Sequence, residues 1–198
     1  MPDSISLKIE SDVAVTMRDG VTLYADIYRP EGDGSFPTIL QRTPYDKTNA
    51  LSATMLDPIR SAKAGFAVVI QDTRGRFASE GEFYAFRDDI DDGYDTVEWA
   101  AAQAWSNGNV GMYGASYVGA TQWLAAASRP PHLKAIAPTV TASNYHDGWT
   151  YQGGAFELGF NMSWTLLQLT LANFKNVSGV QGVPRERRGQ LMHAVDNM

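Results

Sequence analysis

Gly108-Asn-Val-Gly-Met-Tyr-Gly-Ala-Ser116-Tyr-Val-Gly-Ala-Thr-Gln-Trp-Leu-Ala-Ala-Ala127 is the stretch on which the reading of this chain turns. It opens with apolar Val110, Met112 and Tyr113, passes a glycine-flanked turn at Ser116, and continues as a good helix former. A strand turning sharply into a helix with serine at the corner has the geometry of a nucleophile elbow. The corner holds the hydroxyl clear of its neighbours, and the helix N-terminus favours negative charge beside it. Small residues must line such a corner, and Gly114, Ala115, Gly119 and Ala120 supply them. A phosphate-binding loop competes through the spacing of Gly114 and Gly119, but Ala120 stands where its lysine must be. The motif alone leaves two readings open, because the general G-x-S-x-G form wants glycine where Val118 stands. One is the elbow; the other is an ordinary strand-turn-helix with a structural serine.

Composition narrows the field. With 198 residues and 44% hydrophobic content the chain can bury a real core. A net charge of −6, with the 185–188 basic cluster interrupted by Glu186, argues against a nucleic-acid surface. The absence of cysteine excludes disulfides, zinc thiolate sites and cysteine nucleophiles, and suits a reducing compartment. Residues 1–10 are polar and no apolar run reaches membrane-spanning length, so the expectation is a cytoplasmic protein without a membrane partner.

Along the chain, residues 5–10 and 13–17 alternate as strands, Asp19-Gly20 turns, and 21–28 resumes as a strand. A short buried strand at 38–41 leads into an ordered loop at 42–47. Asp57-Pro58 starts a helix that stops at Gly65, and 66–71 is a continuous apolar strand. The next helix is acidic at its start (Asp88, Asp89, Asp91, Asp92), which suits its dipole. Its residues Ile90, Tyr94, Val97, Ala101 and Ala104 keep helical spacing and are expected to face the sheet. After the Ser116 corner and its helix comes a strand at 133–140. This alternation predicts an α/β fold: a mostly parallel sheet with antiparallel N-terminal strands and a ligand site beyond the carboxyl ends of the strands. Tyr45, Asp72 and Ser116 each follow such an end. Residues 1–143 therefore read as the core, and 144–198 as the start of a helical cap. In the cap, Phe156, Phe160, Trp164, Leu167, Leu171 and Phe174 form a stripe at helical spacing, 186–195 reads as helix, and no further strand is expected.

Several segments together resemble the cocaine-esterase and X-prolyl dipeptidyl-peptidase family of α/β-hydrolases (the CocE/NonD type). They are Arg42-Thr-Pro-Tyr-Asp-Lys47, Gln71-Asp-Thr-Arg-Gly-Arg-Phe-Ala-Ser-Glu-Gly81, Gly93-Tyr-Asp-Thr-Val-Glu-Trp99, Gly111-Met-Tyr-Gly-Ala-Ser-Tyr-Val-Gly119 and Trp149-Thr-Tyr-Gln-Gly-Gly-Ala155. The family's own elbow, G-x-S-Y-x-G, accommodates Val118. The resemblance implies an α/β-hydrolase fold, with Ser116 as nucleophile and an oxyanion hole made by the Tyr45 hydroxyl and the Tyr117 backbone N–H. It implies Trp149 and Trp164 beside the acyl pocket, and a small ester or short peptide as substrate. It calls for no metal or organic cofactor. The esterase branch is the nearer one, because the chain opens almost directly on the hydrolase core. Release of X-Pro dipeptides is the enzymatic alternative, with Glu80, Glu82 and Glu157 as candidates for gripping a free amine. A non-catalytic α/β binding or assembly module is the alternative of another class, and self-association is left open.

The departure from the family pattern is the triad. Such a fold runs Ser, Asp, His along the chain. His132 follows two prolines and reads as a surface residue, while His146 comes too early to be the base. Asp147 and His193 have the right order but lie in cap-like sequence. The expectation is that the acid and base lie beyond residue 198, and that this chain is an incomplete, inactive and poorly stable portion.

Overall fold

A computed structural model describes residues 6–50 and 55–171 of the chain. The chain divides into two compact units, Met1–Phe156 and Glu157–Met198. In the first, six strands form one sheet in the order β1-β2-β4-β3-β5-β6. β1 (Leu7–Thr16) and β2 (Thr22–Pro30) pair antiparallel, as do β2 and β4 (Ala67–Asp72). The pairs β3 (Phe36–Thr43) with β4, β3 with β5 (Ser106–Ala115), and β5 with β6 (Leu133–Thr139) are parallel. A mostly parallel sheet with an antiparallel opening is what the sequence pattern requires, and it is what forms.

The sheet's apolar strands explain where the core lies. Every residue of β4 is buried, as its unbroken Ala-Val-Val-Ile run demands of a strand covered on both faces. Leu23, Ala25, Ile27, Leu40, Val69, Val110 and Met112 meet Val97 and Ala100 of α2 (Asp89–Ala101) and Ala125 of α3 (Tyr117–Ala127). The two helices approach closely at Gly93, where a Cβ would lie 2.7 Å from that of Ala125. The short α1 (Pro58–Lys63) has Asp57 as its N-cap, accepting hydrogen bonds from the backbone N–H groups of Ile59 and Arg60.

Four details differ from the sequence reading. The first two predicted strands are one, β1, interrupted by a bulge between Glu10 and Val13 that carries Asp12 at φ +53°. Arg42 and Thr43 belong to β3, and the loop starts only at Pro44. The buried face of α2 is Asp89, Asp92, Gly93, Thr96, Val97 and Ala100, rotated from the predicted stripe; Ile90 is 39% exposed and Ala104 is exposed. Buried carboxylates, paired as described below, overrode the apolar periodicity. Two further two-residue strands, β7 (Tyr151–Gln152) and β8 (Ala155–Phe156), pair across the turn at Gly153-Gly154, where both glycines have positive φ. In the second unit, α4 (Leu158–Ser163) runs into a π-helical segment, Trp164–Leu171. Phe156 of the predicted stripe therefore lies on a strand, while Phe174 and 186–195 lie outside the described residues.

Candidate active site

The parallel register brings the carboxyl ends of β3, β4 and β5 to one edge of the sheet: Thr43 is level with Asp72, and β5 ends at Ala115. Ser116 follows with φ +57° and ψ −124°, a conformation that costs a non-glycine residue about 1–3 kcal/mol. Its surroundings impose it. The Ser116 N–H donates to Thr139 O (3.0 Å) and Val140 O (3.2 Å), while its carbonyl accepts from Gly119 N and Ala120 N (both 2.9 Å). Gly114 has φ +137°, and a Cβ there would lie 2.2 Å from Val118 Cγ1. At Gly119 a Cβ would lie 2.7 Å from Thr141 Cγ2 and 2.8 Å from Thr141 Cβ. Gly119→Ala is therefore expected to destabilise the fold by about 1–3 kcal/mol through overpacking. Urea denaturation measures it, and a midpoint equal to wild type would show that the corner has slack.

Tyr117, the first residue of α3, is fully buried, unlike the part-exposed Ser116. Its phenol donates to Asp89 Oδ2 at 2.7 Å and accepts from the Phe86 N–H at 2.9 Å. Burial first, then the carboxylate of Asp89, push that phenol far above its ordinary pKa. Its ring stacks on Phe86 (4.4 Å between centroids) and meets Tyr45 edge-on (6.4 Å, 76°). Phe86, held at φ +67°, also stacks on Tyr145 (4.7 Å) and meets Trp149 edge-on (6.1 Å). Tyr45, Tyr117 and Trp149 thus belong to one aromatic group, joined through Phe86 and the Tyr117 ring. Trp164 lies in the second unit, where its ring is parallel to Phe160 at 6.2 Å.

The Tyr45 loop is fixed from three sides. Tyr45 N–H donates to Thr43 Oγ1 (3.1 Å), the Lys47 N–H donates to Asp72 Oδ1 (2.7 Å), and Arg76 Nε donates to Pro44 O (2.7 Å). The Lys47 ammonium reaches back to Asp26 (2.9 Å) and to Asp12 on the β1 bulge (2.7 Å). Burial would lower the Lys47 pKa, but those two carboxylates outweigh it and hold the ammonium above its ordinary value. Asp72 is pushed up to about 7 by burial, against the opposing hydrogen bonds from Lys47 and Ala78 N–H.

Below the corner lies a buried ionic lattice. Arg42, with no exposed surface, donates from Nε to Gln71 Oε1 (2.9 Å) and pairs with Asp89 Oδ1 (3.2 Å) and Asp92 (3.7 Å). Arg74 grips the other side of Asp92 at 2.6 Å. Burial raises the Asp89 pKa, with Arg42 and the Tyr117 hydroxyl opposing. These acids are more than dipole partners of α2. The spacing of Asp89, Asp92 and Thr96 on one helix face is the sequence signal that could have revealed them.

Both described histidines are engaged with carboxylates. His132 Nδ1 lies 2.7 Å from Glu98, before the start of β6 and thus at the sheet edge opposite Ser116. His146 Nδ1 lies 2.9 Å from Asp147, in a pair that is mostly exposed. His193 lies outside the described residues. Among the described residues, no group of three or more His, Cys, Asp or Glu is arranged to hold a metal ion, and no helix is long and apolar enough to cross a membrane.

A mostly parallel sheet turning into a helix through a left-handed serine is the core of an α/β-hydrolase, and known proteins agree. The X-Pro dipeptidyl-peptidase (S15 family) profile matches residues 19–194. The cocaine esterase of Rhodococcus sp. (strain MB1 Bresler) is 48% identical over 162 residues, which make up 80% of this chain and 28% of that protein. A CocE/NonD family hydrolase from Staphylococcus aureus superposes with a TM-score of 0.77 at 31% identity, covering 94% of this chain and 36% of that one. An α-amino acid ester hydrolase gives a TM-score of 0.66 at 31% identity, over 84% and 31% of the respective chains. This chain therefore spans about a third or less of the length of these relatives. It belongs to the X-Pro dipeptidyl-peptidase (S15) family of hydrolases.

Proposed function

We propose that this chain carries the nucleophile and oxyanion hole of a serine acyl hydrolase acting on carboxylic esters. The observation that carries the reading is the left-handed Ser116 corner, with the Tyr45 ring packed on the residue that follows it. Ser116 Oγ attacks the carbonyl carbon while its proton passes to a base; the leaving alkoxide departs with a proton, and water then cleaves the acyl-serine ester. Charge building on the carbonyl oxygen is met by the Tyr117 N–H, in the first turn of α3, and by the Tyr45 hydroxyl. Trp149, packed on Phe86 in the aromatic group around Tyr117, is assigned to the acyl side of the cleft; for Trp164, in the second unit, the acyl role is the one the family resemblance implies. His132 precedes β6 at the opposite edge of the sheet, and no carboxylate stands between Ser116 and His146 as the chain order Ser, acid, His requires, so neither is assigned as base. The 198-residue chain alone is expected to hydrolyse aryl esters at background rate.

The test supplies a base from a relative. A chimera carries this chain in place of the matched segment of the Rhodococcus cocaine esterase. It is expected to turn over p-nitrophenyl esters and to label at Ser116 with a fluorophosphonate. Tyr45→Phe in that chimera is expected to lower kcat by about a hundred- to a thousand-fold. A folded chimera that neither turns over nor labels would leave the α/β domain as a non-catalytic module. Preference for Ala-Pro-p-nitroanilide over esters would move the assignment to dipeptide release; Glu80 already uses its carboxylate on the Thr22 N–H (3.3 Å).

A further inference from the structure

Arg76 comes from the loop after β4, yet its guanidinium lies in the interior with no exposed surface. Its Nε donates to Pro44 O, the carbonyl immediately before Tyr45, at 2.7 Å. The guanidinium lies over the Phe83 ring at 4.9 Å and the Phe77 ring at 5.1 Å, and Phe83 in turn packs on Tyr117 at 6.3 Å. Among the described residues, Tyr117, Asp72 and Tyr45 act on this cation through space. Arg76 thus holds the carbonyl just before Tyr45 and lies one ring away from Tyr117, the two residues assigned to the oxyanion hole.

A buried cation costs several kcal/mol in desolvation and acts strongly on its neighbours through the low-dielectric interior. Burial lowers Arg76 only to about 10, so it stays charged at neutral pH. A fixed positive charge in a low-dielectric setting makes a neighbouring phenol more acidic, and a more acidic phenol donates a stronger hydrogen bond. We propose that Arg76 is a positioning residue whose buried charge strengthens the Tyr45 hydroxyl as a hydrogen-bond donor to an oxyanion. The assignment rests on the role given to Tyr45 above, but the physical effect on Tyr45 is measurable without catalysis.

The experiment places 3,5-difluorotyrosine, whose phenol ionises well below tyrosine's own and so while Arg76 is still charged, at position 45 of the 198-residue chain and follows its ionisation by fluorine NMR. Arg76→Gln keeps an N–H donor for Pro44 O and removes the charge; Arg76→Lys keeps the charge. The glutamine variant is expected to raise the midpoint of residue 45 by about one pH unit, making it a tenfold weaker acid, while the lysine variant stays near wild type. Asp72→Asn removes the opposing negative charge and is expected to lower the midpoint. It also serves if the glutamine variant does not fold. A midpoint unmoved by Arg76→Gln would reduce Arg76 to a tether and overturn the proposal. An unmoved midpoint in Asp72→Asn would do the same, by showing that residue 45 is insensitive to charge in this group. Shifted midpoints together with an inactive chimera would instead sustain the electrostatic link and reject the hydrolase role.

Discussion

Ser116→Ala in the chimera is expected to reduce ester turnover by about a millionfold, to whatever the oxyanion donors achieve with water alone. The magnitude follows from covalent catalysis. Without the oxygen no acyl-enzyme forms, and the base and oxyanion donors lose the reaction they serve. Stability should hardly change, because the Ser116 backbone is set by bonds to Thr139, Val140, Gly119 and Ala120, none of which uses the hydroxyl. An alanine at φ +57° is no more strained than serine there. Single-turnover and steady-state kinetics measure the loss. Residual turnover within a hundredfold of the parent would mean that another group attacks the substrate.

Arg42→Leu should be the most damaging substitution for the fold, at about 3–5 kcal/mol. It would leave Asp89 and Asp92 buried without their shared cation and strip Gln71 Oε1 of one of its donors. That is a large part of the 5–15 kcal/mol typical of a whole domain. An exposed pair offers the contrast. Arg18, half exposed, meets Asp91 and Asp95 at the surface, and Arg18→Leu should cost only about 0–1 kcal/mol. The sign with pH is fixed by Asp89, whose folded pKa is already raised. The folded state then holds its proton more tightly than the unfolded chain, so stability falls as pH rises through and above the ordinary carboxylate range. Losing Arg42 removes an interaction that opposes this shift, so the penalty should shrink in acid and grow toward neutrality. Urea unfolding at several pH values reads both effects, and an Arg42→Leu curve superposed on wild type would refute them.

Much of the fold was readable because its signals are local. The unbroken apolar run of β4, the Asp57-Pro58 helix start and the small residues around Ser116 each dictate their structure without outside help. What escaped depends on distant partners. No periodicity announces that Asp92 is shared by Arg42 and Arg74, whose side chains reach it from different elements. Ile90 looked inward by spacing, but the ionic demand of Asp89 and Asp92 turned the helix. The β7–β8 pair is two residues long on each side, too short for alternation to register. At the candidate site, Ser116 and its glycines were legible from one stretch, whereas the clamps on Tyr45 required Asp12, Asp26, Asp72 and Arg76 to be gathered from three segments.

The bulge in β1 places an aspartate from the beginning of the chain against the lysine two residues past Tyr45. The opening hairpin is thus a brace for the Tyr45 loop as well as the border of the sheet. Changes of sequence more than a hundred positions before Ser116 can therefore tilt the tyrosine packed on the residue that follows it.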